Sequence, residues 1–513
     1  MMSSEDWAIL PILLPLVGAA LSFCAKAFLK GRPGRLLEYA AAFVGLVLPW
    51  AALVALAPMV FNGGSIVAVI GGWPASLGIV TRFDGLAWLV DALGFTVAGA
   101  AWIYSLGAGP RGPAFTAIFL IQASALAATV STSDVFNLFV CLEVLGMASY
   151  VLVVSSGKPG AYLAAYSYLM VSAAAMVFFL AGVYGLYRLT GSLSYDGIAA
   201  GLRSRPDAGG LAAITSLASI SAAVALRVAI MPLYGWLPEA HAQAPHAVSA
   251  VLSGVLIKTP LFALFRILTV LPGGGAVGEL LGYAGAATAL VGVVIALSQK
   301  DAKRLLAYHS ISQIGYVIAA WGAGVAALGR GDPVGAVFLT AAYLHALYHA
   351  LFKGLLFLTV GTATDAAGDR DVYRLRGIYR LLRSSGERFP FTTLSFATGA
   401  LAICAIPPLN GYASKAALSY VLKGRWEYGM LLAASVGTVA SFIKLSRIFF
   451  PSRKAQAEAH GSARVLVSGF GHRTGLARIL AQLILATLCL VAGLAAPRVS
   501  TVVGRALGTF GMH

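Results

Sequence analysis

Fourteen mainly apolar stretches run through this chain of 513 residues, separated by short gaps. They cover 7–28, 36–60, 84–107, 113–131, 133–156, 160–187, 211–231, 246–271, 279–298, 302–328, 334–361, 390–422, 426–449 and 476–494. About 20 apolar residues suffice for an α-helix to cross the hydrocarbon core of a bilayer. Lipid offers no partner to a free backbone N–H or C=O, so such stretches must become helices or a closed barrel. Stretches of this length predict helices, and the chain reads as an all-α polytopic membrane protein. Composition agrees, with 59% hydrophobic and 11% charged residues, against about 45–50% and 25% in soluble domains. A soluble fold, a disordered chain and a disulfide scaffold are excluded. The net charge of +17 could suggest a nucleic-acid binder. The basic residues sit in the gaps between apolar runs, however, where lipid topology accounts for them, and no nucleic-acid partner is expected.

Loop charges predict orientation. With the N-terminus outside, the cytoplasmic loops hold 19 Lys and Arg, among them Lys26, Lys158, Lys300, Lys303, Arg370, Arg453, Lys454, Arg464 and Arg473; the opposite loops hold 9. Both termini are therefore expected outside, in a bacterial or archaeal inner membrane. Glu5, Asp6 and Lys26 argue against reading the first stretch as a cleaved leader. Cys24, Cys141, Cys404 and Cys489 lie in apolar runs without metal-type spacing and read as small buried hydrophobes.

The basic residues in or beside the helices divide into two groups. Arg266, Arg447, Arg478 and Lys444 lie near helix ends, where snorkelling to the interface suffices. Arg227, Lys258, Lys353 and Lys415 lie deeper or beside helix breaks, and a membrane-embedded charge is a functional candidate. The breaks are a weak internal repeat: Ala229-Ile-Met-Pro-Leu-Tyr-Gly-Trp236 resembles Ala405-Ile-Pro-Pro-Leu-Asn-Gly-Tyr412. Proline removes a helical hydrogen bond, and non-helical backbone at membrane depth is tolerated only inside protein or beside water. Paired broken helices point to an ion site built from repeats.

Glu143 sits mid-helix with no basic residue in its own helix, so its partner must come from another. An unpaired carboxylate in apolar surroundings takes up a proton, and a basic neighbour keeps it ionised; Arg227 is the expected partner. Asp134, nine residues earlier, reads as a cap or interface residue with a possible relay role. His345, His349 and Lys353 recur at i, i+4, i+8, about 6 Å apart per step along one helix. Histidine passes protons near neutral pH, and lysine can join; a metal site would want a carboxylate or a third histidine, and none is expected. His309 and Ser312 either continue the relay or cap their helix. His241 and His246 flank Pro245 and read as surface residues. No phosphate-binding glycine loop, CxxC, HExxH or GxSxG occurs, so no cofactor site and no enzyme chemistry can be argued from this chain.

Five segments together resemble the antiporter-like membrane subunits found in Mrp cation/proton antiporters, respiratory complex I and membrane-bound hydrogenases. They are Asp134–Glu143, Pro232–Ser249, Leu305–Tyr316, His349–Phe357 and Pro407–Lys415. The resemblance runs from about 84 to about 445 and implies fourteen helices with two inverted five-helix repeats, each holding a broken helix. The corresponding division is 1–112 for helices 1–3, 113–271 and 272–449 for the repeats, and 450–513 for a cytoplasmic loop and the last helix. It also implies that Glu143, Lys258, His345, His349, Lys353 and Lys415 form a hydrated charge chain that moves protons. Arg227 stands where the family usually has lysine, and Tyr234 where it has histidine. Arginine stays protonated, so Arg227 can pair with Glu143 but not load and release a proton. The resemblance implies a proton-translocating subunit of an Mrp-type Na+/proton antiporter, most like its D subunit. The alternatives are the pumping module of complex I or a membrane-bound hydrogenase, and a structural subunit that has lost conduction. In each case the partners are other membrane subunits, protons and, for the antiporter, Na+.

Overall fold

The apolar stretches fold into helices whose lengths match the expected spans. The computed structural model describes residues 3–71, 78–450 and 475–508. Among the described residues twelve helices are long and apolar enough to cross a membrane, and two shorter apolar ones, Leu211–Arg227 and Phe391–Ile403, complete fourteen. The segment 451–474, with Arg453, Lys454, Arg464 and Arg473, lies outside the described residues, as do 509–513.

Helices α1 (Ser4–Phe28), α2 (Gly31–Leu46) and α3 (Pro49–Phe61) lead into a short antiparallel hairpin, β1 (Ile66–Ile70) with β2 (Ile79–Phe83). The chain continues through α4 (Gly85–Ala108), α5 (Pro113–Ser131), α6 (Val135–Val154) and α7 (Pro159–Thr190), then a surface helix α8 (Tyr195–Arg203). The first broken helix is α9 (Leu211–Arg227) followed by α10 (Trp236–Gln243). Next come α11 (His246–Val251), a π-helical turn (Leu252–Leu256) and α12 (Thr259–Val270), which form one span. Then follow α13 (Gly274–Ser298), α14 (Ala302–Gly329), α15 (Gly335–Ala367) and the short α16 (Ile378–Ser384). The second broken helix is α17 (Phe391–Ile403) with α18 (Asn410–Leu422); α19 (Trp426–Ser446), α20 (Leu476–Leu494) and α21 (Ala496–Gly508) close the chain.

Both breaks have the same backbone. Ala229 has φ 59° and Ala405 has φ 60°, the left-handed region that costs a residue with a Cβ on the order of 1–3 kcal/mol. The freed carbonyls are satisfied differently. The Trp236 indole N–H donates to Leu226 O at 2.8 Å, and Lys415 Nζ donates to Ile403 O at 2.9 Å. Elsewhere small residues let helices touch. A Cβ on Gly322 of α14 would lie 2.3 Å from Gly278 O of α13, so these backbones pack without side chains between them. Helix α15, 33 residues and about 50 Å long, runs through the centre and is buried along most of its length.

Several local readings change. Cys24 is exposed and Cys404 half-buried, while Cys141 and Cys489 are buried; Cys24 lies on the outward face of a peripheral helix. Arg266 and Arg478 do not snorkel. Arg266 is buried against Asp84 at 2.6 Å, and Arg478 is buried 3.7 Å from Asp365. Lys303, counted as a loop charge, is buried and donates to Ala244 O at 2.5 Å.

Candidate functional site

In the first half of the chain the expected ion pair is present. Arg227 is the last residue of α9, where the helix stops short, and its side chain crosses to α6. Its guanidinium lies 3.2 Å from Glu143 Oε1 and donates to Leu142 O at 2.5 Å. Gly146 makes the approach possible, because a Cβ there would sit 2.8 Å from Arg227 Nη2. The arginine side chain is 3% exposed but that of Glu143 is 36% exposed. Glu143 lies on an outward stripe of α6 with Phe136, Val140, Val144, Met147 and Val151, all exposed. Asp134 is the cap of this helix, its Oδ1 accepting the Asn137 N–H at 2.7 Å. Burial raises its carboxyl above the ordinary range, partly offset by the Asn137 and Phe136 N–H groups.

The second set of residues meets around α15. Lys258 follows the π-turn and precedes α12, where widened winding redirects carbonyls from the helical ladder. Its Nζ donates to Ser253 O at 2.6 Å and Gly254 O at 2.7 Å. The Ser253 hydroxyl is 2.7 Å from that of Ser310, which donates to Leu306 O at 3.2 Å. The same carbonyl accepts from Lys353 Nζ at 2.5 Å. Lys258 on the Ser253 and Gly254 carbonyls and Lys353 on the Leu306 carbonyl thus flank the paired Ser253 and Ser310 hydroxyls, all in the buried interior.

On the other side, His345 hydrogen-bonds Ser414 at 3.0 Å and Gln313 at 3.2 Å. The rings of His345 and His349 are parallel, 6.2 Å apart. Tyr316 lies 5.8 Å from the His345 ring and 5.0 Å from Lys415 Nζ. Neither ring nitrogen of His349 has a protein partner. Among the described residues none of Lys258, Lys353 and Lys415 has a carboxylate within ion-pair distance; backbone carbonyls hold all three.

His309 and Ser312 do not cap α14; Asp301 does, accepting from Lys303 and Arg304 N–H. His309 is buried beside Phe442 at 5.0 Å, and Ser312 donates to Ala289 O at 2.7 Å. His241 is not a surface residue, whereas His246 is half-buried at a cleft. His241 is buried and stacked on Phe357, and His246 pairs with Asp365 at 3.0 Å. The short helix after the first break folds His241 inward. Sequence reasoning missed Ser253, Ser310, Gln313 and Ser414, although each is a polar residue in an apolar stretch within five positions of a candidate. Among the described residues no three His, Cys, Asp or Glu side chains converge as metal donors.

Comparison with known proteins sets this geometry in context. Residues 132–444 match the family described as NADH:quinone oxidoreductase/Mrp antiporter, transmembrane. The N subunit of the NADH-quinone oxidoreductase of Desulforudis audaxviator is 33% identical over 451 residues, covering 86% of this chain and 85% of that one. The D subunit of the Na(+)/H(+) antiporter of Alkalihalophilus pseudofirmus is 28% identical over 471 residues, covering 90% of each. A chain in the structure of the Mrp complex from Dietzia sp. DQ12-45-1b superposes with a TM-score of 0.83 at 24% identity, over 99% of this chain and 97% of that chain. That likeness carries the fold.

Proposed function

Because the chain belongs to the NADH:quinone oxidoreductase/Mrp antiporter transmembrane family, we propose that it is the proton-translocating subunit of a multisubunit Mrp-type cation/proton antiporter, similar to the D subunit of such complexes. The carrying observation is the buried polar cluster in which Lys258 and Lys353, each held by main-chain carbonyls, flank the Ser253 and Ser310 hydroxyls, and which His349, His345 and Lys415 continue along α15 and α18. A lysine held only by carbonyl dipoles can alternate between charged and neutral at little electrostatic cost, whereas an arginine against a carboxylate cannot. Protons therefore pass between Lys258, Lys353 and Lys415, with His345 and His349 as intermediate carriers. His309 and Ser312 flank this file without joining it by a direct hydrogen bond. Glu143 and Arg227 set a fixed charge pair beside it, in the first of two repeats spanning 113–271 and 272–449.

A carboxylate among exposed apolar residues at mid-helix is costly against lipid. The stripe around Glu143 is therefore covered by a neighbouring membrane subunit. The side bearing Lys158, Lys300 and Arg370 is cytoplasmic by the loop bias, with both termini outside in the inner membrane.

A second reading has the same file driven by electron transfer in partner subunits, as a pumping module of a redox complex. It is favoured by the 33% identity to a quinone oxidoreductase subunit. The test is cation-driven proton flux in vesicles carrying the whole complex. Lys353→Ala should abolish flux driven by a Na+ gradient. If flux arises only on adding an electron donor, the redox reading replaces the antiporter one; if Lys353→Ala transports normally, the file is not the path.

A further inference from the structure

The i+4 spacing of His345, His349 and Lys353 continues beyond them. Phe357, Gly361 and Asp365 take the next three positions of the same ridge on α15. Each i+4 step turns about 40°, so five steps wind roughly 200° around the helix. The ridge therefore faces different neighbours along its length. His345 meets α14 and α18 through Gln313 and Ser414, and Asp365 meets α11 and α20 through His246 and Arg478.

The two positions without a titratable side chain are each covered by a histidine from the first broken helix and its successor. His241 stacks on the Phe357 ring at 4.6 Å, while Lys353 Nζ lies 4.9 Å from the centroid of that ring. At Gly361 the His246 ring occupies the space a side chain would need; a Cβ would sit 2.4 Å from His246 Cγ. His246 Nε2 pairs with Asp365 at 3.0 Å, which leaves Nδ1 without a protein partner, as are both ring nitrogens of His241. Titratable groups thus follow one another from His345 to Asp365.

The ridge ends in a cleft of about 480 Å³ lined by Lys158, His246, Asp365, Asp369, Arg370 and Arg478 among others. The charges acting on His246 are Asp365 on α15, Lys303 on α14 and Lys158 before α7. Those acting on Asp365 are His246, Arg478 on α20 and Lys303. The excess of basic groups disfavours a metal cation in the cleft, but a proton can still pass through a hydrogen-bonded His–Asp pair.

We propose that Asp365, His246 and His241 form the proton entrance that connects this cleft to Lys353. This rests on the proton-translocation reading above. Asp365 is the positioning residue. It holds His246 with Nε2 toward the carboxylate and the cleft, so a proton arriving from the cleft is taken at Nε2 while the buried Nδ1 releases its own proton inward. His241 receives that proton and passes it to neutral Lys353, after which His246 reloads.

The test uses the whole complex in everted vesicles, where the cytoplasmic face is outermost and its pH is set independently of the lumen. Asp365→Asn should lower proton flux about tenfold or more, and Asp365→Glu should restore most of it. His246→Gln should flatten the response to external pH while the response to lumenal pH is unchanged. Should these variants fail to assemble, Ser385→Cys at the cleft leaves both ion pairs intact. A bulky, membrane-impermeant thiol reagent added outside should then block flux only in that variant. The proposal is overturned if Asp365→Asn or the labelled Ser385→Cys complex transports within about twofold of the parent while Lys353→Ala is inactive. Full activity of Lys353→Ala would instead remove the underlying reading, and the entrance with it.

Discussion

Replacing Arg227 separates a conducting role from a merely structural one. At 3.2 Å the Arg227–Glu143 pair interacts by about 5 kcal/mol at an effective dielectric constant of about 20. Glu143 is 36% exposed, so solvent or a neighbouring polar group competes for it, and the net value falls to about 2 kcal/mol, below the roughly 3–5 kcal/mol of breaking a fully buried pair. About 2 kcal/mol is roughly a 30-fold change in an equilibrium. In Arg227→Ala Glu143 loses that partner and a small cavity opens beside it. Cation-driven proton flux in vesicles carrying the whole complex should fall about tenfold or more. Arg227→Lys keeps a cation within reach of Glu143 and adds a group that can release a proton. It should retain at least about half of the flux and can exceed the parent. Normal flux in Arg227→Ala across the pH range would refute the reasoning and make this arginine a packing residue.

Four further outcomes follow from named contacts. Glu143→Gln should impair flux strongly, while Asp134→Asn should leave it within about twofold, because asparagine caps a helix as well as aspartate. Ser253→Ala and Ser310→Ala should each slow transport by about tenfold, and the double variant should be no worse than either, since both interrupt one connection. Gly146→Ala should mimic the loss of the ion pair, as its methyl would stand 2.8 Å from Arg227 Nη2; flux equal to the parent would mean the arginine can move without consequence. A cysteine at exposed Ser384 should react with an impermeant thiol reagent only from the cytoplasmic face, and labelling from outside would invert the orientation.

Much of the fold was legible because lipid reduces the problem to counting apolar stretches. The span Pro113–Ser131 and the span Leu476–Leu494 agree with expectation to the residue. The β-hairpin Ile66–Phe83 and the helices Tyr195–Arg203 and Ala496–Gly508 were not read, since short elements at the membrane surface carry neither length nor a long apolar run. The Glu143–Arg227 pair was foreseen because each charge lacked a partner in its own helix. Arg266 and Arg478 were misread for the complementary reason. Position near a helix end says nothing of what packs over it, and Asp84 and Asp365 come from distant parts of the chain. Lys258 was identified, but the carbonyls that hold it belong to a π-turn, and no periodicity announces a π-turn.

The two breaks share a backbone conformation and differ in chemistry. Ala229 and Ala405 adopt the same strained conformation, and each break leaves a helix end inside the protein. In the first, a tryptophan N–H closes the helix and the nearby cation is an arginine tied to a carboxylate and to Leu142 O. In the second, the lysine itself closes the helix by bonding Ile403 O. A helix C-terminus carries roughly half a negative charge, which stabilises a cation by about 0.3–1 kcal/mol, far less than a facing carboxylate does. Lys415 is thus held by a carbonyl dipole alone, while Arg227, whose guanidinium stays charged in any setting, faces a carboxylate. Among the described residues Lys258 and Lys353 follow the second pattern, bound to carbonyls alone. The variable charges therefore cluster around α15 and the fixed pair stands apart on α6 and α9. On the proposed reading, a proton moving through the second half would meet lysines that can empty, and the first half would contribute an electrostatic bias that does not change when it passes.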